Sequence, residues 1–250
     1  MNRRAPFRFP ANNTIIATLV LILVLPGLSR ADFPLPDEIV DNVEIIATFD
    51  SKQVVTPTEK AGYAEQQHIY ANLIGNALKP EGKGGVYEGK VLKIKKTFPI
   101  FRVYTKRENP QTGRNNRLGG WWTHVPPAKG TSKSDYRRRY EICESFNHDL
   151  DRVVQCRIYP GALLLIGPGQ SVTEDLCVKP GESYAPDTKK ENLQIFVFDM
   201  YNHSFPIRDA LAPLKDTEHY IGCPAETDDR LFEWYSWGMA PQKKDFDQLK

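Results

Sequence analysis

The chain has 250 residues, and its 33 basic and 31 acidic side chains give a formal net charge of +2. That near balance excludes a nucleic-acid binder, which needs a strongly positive face to recruit phosphates. The four cysteines have neither the CxxC spacing of a redox motif nor that of a zinc knuckle, so no metal site is expected.

In chain order, Arg3, Arg4 and Arg8 precede an apolar run from Ile15 to Leu25 that ends at Ser29-Arg30-Ala31, the pattern of a secretory signal peptide cleaved after Ala31. At 11 residues this core falls short of the ~20 that span a bilayer as a helix. The segment carries four of the basic residues and none of the acidic ones, so the body from Asp32 has a formal charge of −2. The expected location is secreted or periplasmic, with no membrane contact after cleavage. An even number of cysteines in such a compartment predicts two disulfides. Of the three pairings open to them, Cys143 with Cys156 and Cys177 with Cys223 is preferred.

A proline-punctuated lead-in holds one short strand near Val43 to Phe49. Thr56, Pro57 and Glu59 then form the cap of a helix whose apolar stripe runs through Ala61, Ala64, His68, Ala71 and Ile74 or Leu78. After a break at Gly82, Gly84 and Gly85, Val86 to Lys95 alternates like a half-buried strand, and Pro99 interrupts it. Ile100 to Thr105 is the next strand, with Arg102 and Tyr104 on one face and Phe101 and Val103 on the other.

A polar loop over Lys106 to Asn116 precedes a helix capped by Ser134 and running to about Asn147. Its Arg137, Arg138 and Arg139 read as a solvated face. Arg152 to Tyr159 and Ala162 to Gly167 read as two strands of a hairpin turned by Pro160-Gly161. A tight turn over Gly167 to Ser171 and a polar loop lead to the strand from Leu193 to Asp199. Beyond it lies a loosely regular tail, pinned by Cys223 and by Phe232, Trp234, Tyr235 and Trp237.

Three short motifs carry chemistry. Arg102 on its strand offers a bidentate donor to phosphate. Tyr104, Trp121 and Trp122 offer walls for a flat ring, Gly119 and Gly120 allow close backbone approach, and Thr123 completes the GGWWT run. Gln194 stands at the start of a late strand, where an amide can reach sugar hydroxyls. Ser171 lacks the GxSxG elbow of serine hydrolases, and the five histidines lack metal-ligand spacing, with His124 the one nearest the motifs.

The succession Arg102-Val103-Tyr104, Gly120-Trp121-Trp122-Thr123 and Gln194, spread over about 95 residues, resembles the NAD-binding half of ADP-ribosyltransferase toxins and effectors. The resemblance implies an α+β domain with a split antiparallel β-sheet core and flanking helices, and NAD as substrate. It implies that Arg102 holds the dinucleotide with Tyr104, Gly120, Trp121, Trp122 and Thr123 around it, and that Gln194 takes the catalytic place. Most transferases of this superfamily carry glutamate there, whereas the NAD-cleaving necrotizing-toxin type carries glutamine. Glycohydrolysis with water and ADP-ribosyl transfer to a protein acceptor therefore both stay open, and Glu182 or Glu191 is the alternative third-motif residue. A toxin or effector would also leave room for an immunity protein as partner.

The organisation expected is a signal peptide over 1–31, a helical lead-in over 32–85, the NAD-binding domain over 86–200 and an aromatic-rich extension over 201–250. The rival expectation, from a different class, is a non-catalytic, disulfide-braced binding protein of the periplasm or cell envelope that uses its tryptophans.

Overall fold

The computed structural model describes residues 33–50, 74–108, 116–197 and 221–239. The signal segment, the helix cap at Thr56, the loop at 109–115 and the chain from 198 to 220 lie outside the described residues. Helix α1 (Asp37–Val40) leads into β1 (Val43–Asp50), and after helical residues 74–77 the chain lays down β2 (Glu88–Ile94), β3 (Phe98–Tyr104) and β4 (Trp121–Thr123). Helix α2 (Lys133–Arg139), β5 (Arg152–Ile158), β6 (Leu163–Pro168), α3 (Glu174–Cys177) and β7 (Leu193–Val197) follow. Strands β8 (Ile221–Gly222) and β9 (Arg230–Leu231) and helix α4 (Phe232–Ser236) close the described chain.

Among the described residues the strands form one sheet in the order β1-β2-β6-β7-β4-β3-β5-β8, with β9 also paired to β5. Every neighbouring pair is antiparallel. The protein is thus α+β, with a few short helices against an antiparallel sheet.

Alternation along the strands sends two sets of side chains to two faces. On one face Leu92 and Ile94 of β2, Leu164 and Ile166 of β6, Ile195 of β7, Trp122 of β4, Ile100 and Tyr104 of β3 and Val154 and Ile158 of β5 form a single buried cluster. Although β2 and β5 are far apart in the sheet order, the end of β2 bonds to the chain leaving β5, Ile94 N–H to the Ala162 carbonyl at 3.0 Å and Gly161 N–H to the Ile94 carbonyl at 2.9 Å, so the sheet curls over this face. The other face carries two separate clusters. Val91 and Leu165 pack with Ile74, Ala77 and Leu78 near one end, and Phe101, Val103 and Val153 pack with Tyr136, Phe232 and Tyr235 near the other. The space between these two clusters is where the site lies.

Several expectations are corrected. Strand β2 is covered on both faces, because Val91 is as buried as Leu92. Pro99 lies inside β3, opposite Arg157 of β5. Strand β4 meets β3 only at Phe101↔Thr123, so at Pro99 the ladder has one neighbour and the missing N–H costs no pairing there. The expected β5–β6 hairpin does not form. Gly161 N–H donates to the Ile94 carbonyl at 2.9 Å, which carries the chain from the edge of β5 over to β2, and β6 pairs with β2 and β7.

The second helix starts after Ser132, whose hydroxyl accepts from the Asp135 N–H at 3.0 Å, and it ends at Arg139. Within it Arg137 is buried and donates to the carbonyls of Ile142, Asn147 and His148, so only Arg138 and Arg139 have solvated side chains.

Two disulfides are present, but paired differently from the expectation: Cys143 with Cys177 and Cys156 with Cys223. Because Arg157 pairs with Gly222, the next residue on each strand is brought together at Cys156 and Cys223. The turn after α2 lies against α3, which brings Cys143 to Cys177. In the tail, Phe232 and Tyr235 are buried against the β3–β5 face, whereas Trp237 is 67% exposed and stands outside that cluster.

Candidate functional site

Strands β7, β4 and β3 are adjacent, and the register pairs Thr123 with both Phe101 and Gln194. Three segments distant in sequence therefore meet side by side. Above them lies a cleft of about 280 Å³. The glycine-rich turn at 79–85 forms one wall, α2 with the following turn forms the other, and Arg102, Trp121, Trp122, Thr123 and Gln194 all line it. Trp121 turns its ring to Phe196 at a centroid distance of 4.8 Å. Tyr136 and Tyr140 of the opposite wall lie with ring centroids 4.7 Å apart and their planes tilted by 50°. Burial pushes the Tyr140 phenol up to about 12, further from ionisation.

Gln194 is held by two acceptors. Its Nε2 donates to the Tyr140 carbonyl at 3.1 Å and to Glu141 Oε2 at 2.7 Å. Both amide hydrogens are thereby used, which fixes the amide and leaves its oxygen for the cleft. Glu141 itself is only 5% exposed. Burial, and secondarily the charge of Asp187, raises its carboxyl to about 9, against the lowering effect of the Gln194 hydrogen bond. Its backbone adopts φ 48°, the left-handed conformation that ends the helical path after Tyr140 and turns the side chain inward. Gly169 makes room for it, since a Cβ there would lie 1.8 Å from Glu141 Oε2. Sequence reasoning missed Glu141 because an uninterrupted helix was expected across it, and neither spacing nor residue type marks the turn.

Arg102 donates from Nε to the Asn116 carbonyl at 2.7 Å and from Nη1 to the Trp121 carbonyl at 2.5 Å. Its guanidinium lies over Gly119, where a Cβ would meet Nη2 at 2.4 Å. The close approach that this glycine allows is therefore to Arg102. The arginine bridges the gap where β3 and β4 part, and it supplies positive charge at the cleft floor along with Lys79 and Lys83 of the opposite wall.

Four expected site residues have other surroundings. Tyr104 is not a cleft wall: it is fully buried in the main core, and its hydroxyl donates to Asp229 Oδ2 at 2.7 Å. That carboxylate also receives Arg117 through Nε at 2.5 Å and Nη2 at 2.9 Å, which pins the loop before β4 to the C-terminal segment. Gly120 abuts the Phe196 ring and accepts the Val197 N–H, so it serves the sheet. Trp122 lines the cleft but packs into the main core, where its Nε1 has no partner among the described residues. Thr123 lines the cleft while its hydroxyl donates to the Val125 carbonyl at 2.6 Å.

Of the alternative third-motif residues, Glu182 accepts from the Glu144 N–H and the Tyr184 hydroxyl, and neither Glu182 nor Glu191 lines the cleft. His124 is half-buried, with its imidazole pushed below its ordinary range by burial, and it also stands outside the cleft. Among the described residues no group of side chains could hold a metal ion, and no helix is long and apolar enough to cross a membrane. No known protein family, curated protein or solved structure matches the chain, so the site rests on its own geometry.

Proposed function

We propose that the protein is an exported NAD-cleaving enzyme, related in fold to the ADP-ribosyltransferases, that breaks the nicotinamide–ribose bond in this cleft. The observation that carries the reading is the junction of β3, β4 and β7, which gathers Arg102, Trp121, Thr123 and Gln194 around one hollow. At about 280 Å³ the hollow is just below the ~300–1,000 Å³ typical of small-molecule sites, which suits the nicotinamide and its ribose rather than the whole dinucleotide. The diphosphate would cross the cationic positions Arg102, Lys79 and Lys83. Trp121 and Tyr140 would flank the flat pyridine ring, and the Gln194 amide oxygen would accept a ribose hydroxyl.

Bond cleavage leaves positive charge on the ribose, and a rigid amide oxygen pointing at that charge stabilises the transition state more than the ground state. The third-motif amide, in place of a carboxylate, favours water as acceptor over a protein side chain. The two disulfides suit export to a secreted or periplasmic location.

The test is chromatographic detection of nicotinamide released from NAD by the disulfide-intact protein. Release that disappears in Gln194→Ala and in Arg102→Ala, with both variants folded, is the expected result. No release by the wild-type protein would overturn the reading and leave the non-catalytic binding protein in its place.

A further inference from the structure

We propose that Glu141 is the catalytic carboxylate of this cleft, taking the proton from the attacking water while Gln194 orients the sugar. The inference rests on the reading of the cleft as an NAD-cleaving site, and it assigns the one step for which the three sequence motifs supply no group. Gln194, Arg102 and Thr123 cannot accept a proton at neutral pH, the first because an amide is not basic and the second because a guanidinium stays charged.

Geometry carries the proposal. Glu141 lines the cleft beside Gln194, with Oε2 at 2.7 Å from its amide nitrogen, and among the described residues that amide is the carboxyl's one hydrogen-bond partner. The backbone is held at φ 48°, an uncommon conformation for a residue with a Cβ. Gly169 leaves a gap that the carboxyl fills, and the Cys143–Cys177 bond anchors the turn two residues further on. A buried acid without a cationic partner costs stability, and in a cleft such an arrangement points to function.

The charged and titratable groups around it are Asp187 from the segment before β7, Tyr87 just before β2 and Tyr140 beside it in the chain. Lys79, Lys83 and Arg102 line the same cleft. Glu141 is therefore a neutral acid in the empty cleft at neutral pH, in keeping with its raised carboxyl. Entry of the cationic pyridinium favours the carboxylate and expels the proton to solvent. In the reaction a water oxygen bonds to ribose C1′ as the C1′–N bond breaks. The bonding pair leaves with nicotinamide, which becomes neutral, and the water proton passes to Glu141 and restores the neutral acid, so the one proton released per turnover is the one expelled on binding. The balance is NAD⁺ and water giving ADP-ribose, nicotinamide and a proton.

The experiment measures nicotinamide release between about pH 5 and pH 10 for wild type, Glu141→Gln and Glu141→Asp, together with calorimetric binding of carba-NAD, which cannot be cleaved. For the wild type, kcat/KM should climb with pH and reach half of its plateau near pH 9, whereas kcat should level off at lower pH because the bound cation aids ionisation. Glu141→Gln should lose kcat by on the order of 100-fold or more, flatten the profile and still bind carba-NAD. Glu141→Asp should keep the pH-dependent rise at a lower plateau. A Gln variant that turns over at the wild-type rate with the same rise, or an Asp variant without the rise, overturns the inference and leaves the NAD reading standing. A wild type that releases no nicotinamide at any pH overturns both.

Discussion

At the scale of single residues, the site is built from side chains whose positions are set by missing atoms elsewhere. Arg102 can lie where it does because Gly119 has no Cβ, and the Glu141 carboxyl occupies the space that Gly169 leaves. Gly169→Ala would put a methyl 1.8 Å from Glu141 Oε2 and 2.7 Å from Gln194 Nε2, and must displace the carboxyl from its place beside the amide. A displacement of about 1 Å costs on the order of 100-fold in rate, so this variant should fold, keep both disulfides and lose most nicotinamide release. Steady-state kinetics beside a near-ultraviolet circular dichroism spectrum checks the prediction. Gln194 could be placed from the sequence because β7 alternates regularly, whereas Arg102 shares by alternation the face of Ile100 and Tyr104 and reaches the cleft where β3 and β4 part. Glu141 could not be placed, since its role depends on a left-handed backbone angle and on a glycine 28 positions later. Tyr104 was misplaced for a related reason: alternation sets its face, but which face is core depends on how the sheet curls.

At the scale of elements, β1, β3, β5, β6 and β7 lie close to where apolar alternation and turn residues put them, because burial on a strand leaves a local trace in the sequence. Pairing leaves no such trace. The Pro160-Gly161 turn has hairpin composition, yet β5 and β6 find other neighbours, since the Ile94 carbonyl takes the turn's N–H. Cysteine pairing went astray with it, because Cys156 meets Cys223 only through the β5–β8 ladder. The two bonds close loops with sequence separations of 34 and 67, so chain entropy gives each a stabilisation of about 4 kcal/mol. The double variants Cys143→Ala/Cys177→Ala and Cys156→Ala/Cys223→Ala should therefore both shift urea unfolding by that order. They should differ in function. The first frees the turn that holds Glu141 and should reduce nicotinamide release in the folded fraction, whereas the second frees only the tail from β5 and should leave the activity of folded molecules intact.

At the scale of the whole molecule, a single curled sheet keeps one face dry and leaves its other face open between two smaller clusters. That division puts a buried acid at the cleft without cutting into the main core. It also links stability to pH. The Glu141 carboxyl titrates near 4.5 when free and near 9 in the fold, so across that interval the unfolded chain has released a proton that the native protein retains. Stability should consequently fall as pH rises from about 4.5 to 9, and Glu141→Gln should flatten the decline and melt higher than wild type at pH 8. Thermal melts over that range are the check. A matching decline in both proteins would show that Glu141 is ionised in the fold.

The central claim is that one cleft gathers the dinucleotide against Arg102, Trp121, Glu141 and Gln194. A crystal structure of the oxidised protein with carba-NAD tests it directly. The nicotinamide riboside should lie between Trp121 and Tyr140, within hydrogen-bond reach of Gln194 Oε1, with the diphosphate toward Arg102 and the Lys79–Lys83 wall. Carba-NAD seated on another face, or an empty cleft at saturating ligand, would contradict it.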